Sequence, residues 1–415
     1  MPSLAATAGE SRTITIEHQA DAAGLRPYSR VIAIFLCGAF AFLDLYCTQP
    51  LLPLLAHVFR ASETSVSLTI SGPTLGVALS AILLALFAER VDRKRAIVGS
   101  MAALSVVTLL TATASNLHAL IAWRLLQGLL TPGIFIIAIA YVTEEWPAAL
   151  VPRVMSVYVA GTVFGGFLGR VAGGILAEHF SWQVMFVVLG AVGAIGALLT
   201  QRILKPSSPK PHLTAHTGSR LAPFWISLRN PRLVATFCIG FCMLLALVSL
   251  FSYITFYLAE APFHLSTEAL GWLFSVYLLG LITTLVAGTG LARVGLRYGM
   301  VASISLCIAG VILTLAPSLI AVGLGLSAAS SGVFVAQTCA SSFLREAAPE
   351  GSRVSAAGIY VCSYYAGGTA GGILPGLLWQ WGGWPGCVAL ISLFLLIACT
   401  TTFFGWRPRA LELAP

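Results

Sequence analysis

Apolar runs of about 20 residues, separated by short polar interruptions, recur along almost the whole chain. Each is long enough to cross about 30 Å of hydrocarbon as a helix. The pattern predicts twelve spans, near residues 31–54, 66–88, 96–115, 118–141, 154–177, 183–201, 232–258, 268–291, 299–317, 319–343, 354–378 and 385–405. Polar segments divide them six and six: a tail over 1–30 expected to be disordered, a six-helix bundle over 31–201, a Pro-rich and basic linker over 202–231, a second bundle over 232–405, and a tail over 406–415.

Shifting the chain by 202 or 203 residues superimposes the two sets of spans. "GTVFGGFLGRVAGGILAEHFSW", ending at Trp182, then meets "SYYAGGTAGGILPGLLWQWGGW", ending at Trp384, and "AERVDRKR" from Ala88 meets "LARVGLRY" from Leu291. Two halves of like orientation form a parallel repeat, an arrangement that puts a substrate site between them near the bilayer midplane and permits alternating access. A duplication retained for stability in a membrane sensor or scaffold is the alternative.

Composition sharpens this picture. The chain is 58% hydrophobic and only 9% charged, against about 25% charged in ordinary soluble proteins. The net charge of +8 does not signal nucleic acid, because of where the basic residues lie: of 23 Lys and Arg, twenty fall on the tails and on loops of one side, Arg60 alone on loops of the other, and Arg124 and Arg170 within spans. This bias sets both termini in the cytoplasm. The nine cysteines all fall in spans, and Cys238 and Cys242 share a helix face without His or carboxylate, so packing rather than metal binding is expected. No cofactor is called for.

Three charges at depth carry the candidate chemistry: Asp44, Arg124 and Arg170. At 1.5 Å per residue they lie roughly 15, 9 and 12 Å from the outer helix ends, within reach of one cavity. In the second half Ala246 stands opposite Asp44, Gly372 opposite Arg170 and Ser327 near the place of Arg124. The repeat is therefore built without these charges where it does not need them. A buried cation normally faces a wet cavity or a partner, and Asp44 is the expected proton carrier, tuned by the two arginines. A static ion pair fixing helix register is the competing reading. Gly161, Gly165, Gly169 and Gly173 form a packing stripe, with Gly166 beside it. Tyr46, Gln127, Phe164, Tyr253, Tyr257, Tyr277, Tyr360 and Tyr364 are candidates to line a substrate cavity.

Several of these segments resemble the major facilitator superfamily. "LIAWRLLQG", residues 120–128, is similar to the fourth-helix motif whose arginine is associated with proton coupling, which falls on Arg124. "GTVFGGFLGR" resembles the fifth-helix antiporter motif, with Gly166 in place of its proline and Arg170 in place of its last glycine. "YCTQPLLP", with Pro50 and Pro53, resembles the end of the first helix of twelve-helix drug/proton antiporters, and the whole is most similar to the YnfM-like group of bacterial inner-membrane exporters. In the loop after the second span Ala85, Glu89, Asp92, Arg93 and Lys94 occupy the family's conformational-switch positions. There Asp92 replaces a glycine, which suits a left-handed turn residue.

The resemblance implies an all-α membrane protein with two pseudo-symmetric six-helix bundles, functional as a monomer in a bacterial inner membrane, that exports a drug, sugar or organic acid against protons. A facilitator or a proton symporter importing a metabolite is the alternative within transport. No lysine is followed by Ser or Thr, so a Walker A loop is absent, and no His-Glu-x-x-His or Gly-x-Ser-x-Gly pattern occurs. An enzyme is disfavoured.

Overall fold

A computed structural model describes residues 26–87, 92–206, 222–280, 282–283 and 294–406. Every regular element among them is helical. Nine helices among the described residues are long and apolar enough to cross a membrane.

The first span is not one helix. α1 (Arg26–Leu43) ends at Leu43, residues 44–48 form turns, Gln49–Leu51 is a 3-10 turn, and α2 (Leu52–Phe59) completes the crossing. Pro50 and Pro53 lack the N–H groups a continuous helix would use, and each disfavours helical geometry in the residue before it. The chain adopts i→i−3 bonds instead, from Gln49 N to Tyr46 O at 3.0 Å and Leu51 N to Thr48 O at 3.1 Å. Asp44 O receives only a long bond from Cys47 N at 3.4 Å, and Leu45 O is left to other partners.

α3 (Glu63–Phe87) and α4 (Arg93–Thr111) follow; then α5 (Leu117–Leu130) and α6 (Pro132–Glu145) stack into one crossing, with Pro132 opening the second piece. α7 (Val151–His179) and α8 (Trp182–Ile203) complete the first half. A short helix α9 (Ala222–Arg229) lies in the linker, where the sequence pattern had suggested none. The second half has α10 (Pro231–Ala259), α11 (Thr267–Leu273) continuing after a turn over 276–280, α12 (Leu296–Leu313), α13 (Leu319–Ala347) and α14 (Arg353–Gly405). α14 is two crossings, since Gly383 reverses the chain at φ 54°, a conformation open to glycine.

Glycine sets how the helices meet. A Cβ on Gly161, Gly165 or Gly169 of α7 would fall onto the carbonyl of Phe35, Ala39 or Leu43 of α1. The same contact recurs 202 residues on, with Gly367 and Gly371 of α14 against Phe241 and Leu245 of α10. Tyr158 donates to Phe135 O at 3.4 Å, and its counterpart Tyr360 donates to Gln337 Oε1 at 2.9 Å. The duplication is thus a duplication of contacts.

The two halves of the chain meet at one end. Ser71 donates to Thr369 O at 3.0 Å, the Thr74 and Thr369 hydroxyls lie 3.1 Å apart, and Gln49 Nε2 donates to Ser252 Oγ at 3.2 Å. Near the tip Glu178 accepts from Thr267 N at 3.0 Å, and His179 and Glu268 stand 2.9 Å apart. These bonds lie on the side of the turns at Arg60, Phe180 and Gly383.

Candidate functional site

The turn that breaks the first span is the centre of the site. Arg124 of α5 is fully buried and gives its donors to that turn: Nη1 to Asp44 O at 2.7 Å, Nη2 to Leu45 O at 2.6 Å, and Nε to Thr69 O of α3 at 3.0 Å. The Asp44 and Leu45 carbonyls lie in the turn that follows α1, and Thr69 O stands four residues before Pro73, which has no N–H to give it. In hydrocarbon such a break survives only where protein satisfies it.

A relay runs from Arg124 to the carboxylate. Arg124 Nη1 donates to Gln127 Oε1 at 2.6 Å, Gln127 Nε2 donates to the Thr108 hydroxyl at 2.8 Å, and Thr108 donates to Asp44 Oδ2 at 2.8 Å. Asp44 is 5% exposed, and its Oδ1 is buried without a hydrogen-bond partner. It is the one buried Asp or Glu among the described residues. Asp44 and Arg124 therefore meet through a backbone bond and a relay, and the direct carboxylate–guanidinium ion pair considered from sequence is not formed.

Arg170 reaches the same turn from α7. Its Nε donates to Gln49 Oε1 at 2.7 Å and its Nη1 to Gly166 O at 2.6 Å. The guanidinium carbon stands 4.8 Å from the ring centre of Tyr46, 4.9 Å from Phe274 and 4.8 Å from Tyr277. A Cβ on the neighbouring Gly166 would come 3.2 Å from Arg170 Nη1, so the missing side chain leaves room for the bent-back guanidinium.

The other predicted positions separate into groups. Tyr46, Gln127 and Tyr277 belong to the two clusters above. Tyr360 stacks on Tyr364 at 6.0 Å, and Tyr364 meets Tyr365 at 5.5 Å, which meets Phe135 across the halves at 6.2 Å. Tyr253 donates to Gly372 O at 2.9 Å with its hydroxyl beside Ser67 and Thr64 of the first half, and Tyr257 stacks on Trp384 at 5.9 Å within the second. Phe164 is 44% exposed beside Phe35 and stands apart from the aromatic cluster. Gly173 continues the glycine stripe, with Cys47 O 2.7 Å from its would-be Cβ.

In the switch loop Glu89 lies outside the described residues. Asp92 has φ −58°, not the left-handed geometry expected of a glycine substitute; it is an N-cap whose side chain accepts from Arg95 N at 3.0 Å. Arg93 makes a two-pronged pair with Glu144, at 3.2 and 3.1 Å, tying α4 to α6. Lys94 lies in the first turn of α4. Sequence reasoning missed Thr108, Gln49, Phe274 and Tyr365. Only Gln49 had a signal, standing one residue before Pro50 in the noted motif.

The chain matches the sequence profile of the Major Facilitator Superfamily over residues 34–262 and 252–415. It is 31% identical over 384 residues to YybF of Bacillus subtilis, described as an uncharacterized MFS-type transporter, with 92% of this chain and 94% of the relative covered. It is 29% identical over 390 residues to the inner membrane transport protein YnfM of Escherichia coli, covering 94% and 93%. Among solved structures it resembles a bacterial homolog of the human lysosomal transporter Spinster in an inward-facing, occupied conformation (TM-score 0.75, 16% identity, 94% and 99% covered). It also resembles the nucleoside transporter NupG (TM-score 0.73, 16% identity, 91% and 100% covered).

Proposed function

This chain belongs to the Major Facilitator Superfamily, and from that membership we propose a proton-coupled antiporter that exports a small solute from the cytoplasm by alternating access. It is a multi-pass membrane transporter and not an enzyme. Its twelve spans form two six-helix bundles, 31–201 and 232–405, joined by the 202–231 linker, with both termini cytoplasmic as the basic residues require. With that topology the end at Arg60, Phe180 and Gly383 faces outward, and the bonds joining the halves there describe an inward-facing state. The protein works as a monomer in the bacterial inner membrane, the compartment of the inner membrane transport protein YnfM to which it is similar.

The observation that carries the reading is Asp44: a buried carboxyl with one oxygen held by Thr108 and the other without a partner. A carboxylate in that position is unsatisfied, and a proton on Oδ1 removes its charge at the cost of no existing bond. Arg124 moves with Asp44, because it is bonded to the backbone of the same turn. The step that loads and releases the proton is therefore a change of access to Asp44 rather than a departure of Arg124. One charge crossing about 150 mV supplies about 3.5 kcal/mol, enough for a solute gradient of two to three decades.

The test is proton movement in proteoliposomes under an imposed pH gradient, followed by a pH-sensitive dye while solutes are added. Substrate-dependent proton flux in the wild type and its loss in Asp44→Asn is the expected result. Solute flux without proton movement in the wild type leaves a facilitator, and unimpaired coupling in Asp44→Asn removes the carrier role.

A further inference from the structure

The two buried arginines differ in how much of their bonding capacity the protein uses. An arginine has five N–H donors. Arg124 spends Nε, Nη1 and Nη2 on Thr69 O, Asp44 O, Gln127 Oε1 and Leu45 O. Arg170 engages Nε with Gln49 and one Nη1 hydrogen with Gly166 O, and its Nη2 makes no hydrogen bond among the described residues. Three of its donors are left over, although the residue is only 4% exposed. No carboxylate lies within ion-pair distance of it among the described residues.

Such a cation is expensive. An arginine at membrane depth costs at least about 2.5–3.5 kcal/mol, and ring faces soften that cost without cancelling the charge. The scaffold does not require it, since Gly372 occupies the equivalent place in the second half and packs against Ser71 and Ser67. What surrounds it comes from both halves: Tyr46 and Gln49 from the first, Phe274 and Tyr277 from the second. Phe251 and Phe334 extend the rings behind Tyr277, at 4.6 and 5.7 Å.

We propose that Arg170 is the binding residue for the anionic group of the transported solute, and that the substrate class is an organic anion with a flat apolar or aromatic body. The free Nη2 edge receives one carboxylate, sulfonate or similar group in the fork geometry guanidinium favours. The rings at the junction of the halves receive the body. Arg124, with its donors committed to backbone, is a structural clamp and not a second anion site. The assignment rests on the transport reading and is independent of proton coupling.

The test is calorimetric binding to purified full-length protein with three probes of similar shape: benzenesulfonate, benzenesulfonamide and benzylammonium. The sulfonate stays ionised across the working pH range, so its binding is read apart from any proton movement. The wild type is expected to bind the sulfonate about ten- to a hundredfold more tightly than the neutral amide, the range of a charge-assisted bond, and the cation not at all. Arg170→Gln loses this preference, Arg170→Lys keeps part of it, and Asp44→Asn keeps it in full even if coupling is lost. Equal affinity for the three probes, preference for the cation, or no binding of the sulfonate or of 2-naphthalenesulfonate overturns the proposal. Should Arg170→Gln fail to fold, the comparison of probes on the wild type still decides. Nanodiscs of purely zwitterionic lipid are compared with discs containing phosphatidylglycerol. Displacement of the sulfonate by that lipid assigns the site to a head group and overturns the soluble substrate.

Discussion

Replacing Arg124 by Lys separates charge from geometry at the broken helix. Lysine keeps one positive charge near Asp44, so if Arg124 serves only as a counter-charge the substitution is nearly silent. The structure points the other way. The guanidinium spans carbonyls on two elements, at 2.7 and 2.6 Å on the α1–α2 turn and 3.0 Å on α3, and also holds Gln127 at 2.6 Å. A point ammonium on a flexible stem does not reproduce that fork. Leaving two of those buried acceptors unsatisfied costs about 1–3 kcal/mol each, so roughly 2–6 kcal/mol, with no relief from removing a buried charge. That is a large part of the about 5–15 kcal/mol that stabilises a typical domain. Thermal unfolding in detergent should therefore show Arg124→Lys strongly destabilised and its coupled proton flux reduced. A variant that melts and couples like the wild type refutes the clamp.

Four further outcomes follow from the structure. Gly165→Val, and equally its repeat partner Gly367→Val, forces carbon against the backbone of Ala39 or Phe241 and should cost at least about 1–3 kcal/mol in unfolding measurements. Gly99→Ala, inside α4 with nothing within 4 Å of the added methyl, should not destabilise and should gain up to about 1 kcal/mol. Thr108→Val strands Asp44 Oδ2 and Gln127 Nε2 and should diminish substrate-driven proton flux, while Thr108→Ser should preserve it. Cysteines replacing His179 and Glu268, whose side-chain tips meet at 2.9 Å, should when bridged by a reducible bifunctional thiol reagent hold this end shut and stop solute flux until reduced.

How much of this was open to a reader of the sequence depends on the range of the interaction. Apolar runs report the solvent around a helix, so an all-helical membrane fold with many apolar helices was legible. The 202-residue repeat was legible because duplicated contacts, such as Gly165 on Ala39 and Gly367 on Phe241, keep their spacing. That Asp44, Arg124 and Arg170 come near one another followed from counting along helices. Their partners did not, because Thr108 and Phe274 are a hydroxyl and a ring among many, distinguished only by what three other helices bring near them. Local geometry was misjudged at Asp92, where capping α4 satisfies an N–H that a left-handed turn would not. It was also missed at Ala222–Arg229, eight residues too short for a periodic signal.

The two arginines grip one turn from different sides, and that difference bears on how solute and conformation are linked. Every Arg124 bond stays within the first half, to Asp44, Leu45, Thr69 and Gln127. A rigid-body rocking of the halves leaves those bonds intact. Arg170 is instead enclosed partly by Phe274 and Tyr277 of the second half, next to the Gln49–Ser252 bond that bridges the two. Opening of the end now closed carries those rings away and returns the guanidinium to water. A solute anion on Nη2 changes the free energy of the closed arrangement, where rings and anion act together, by a different amount from that of the open one. That differential affinity is what a ligand needs in order to shift a conformational equilibrium. On this account Arg170 links substrate to conformation, while Arg124 holds the proton-carrying turn in shape through every state.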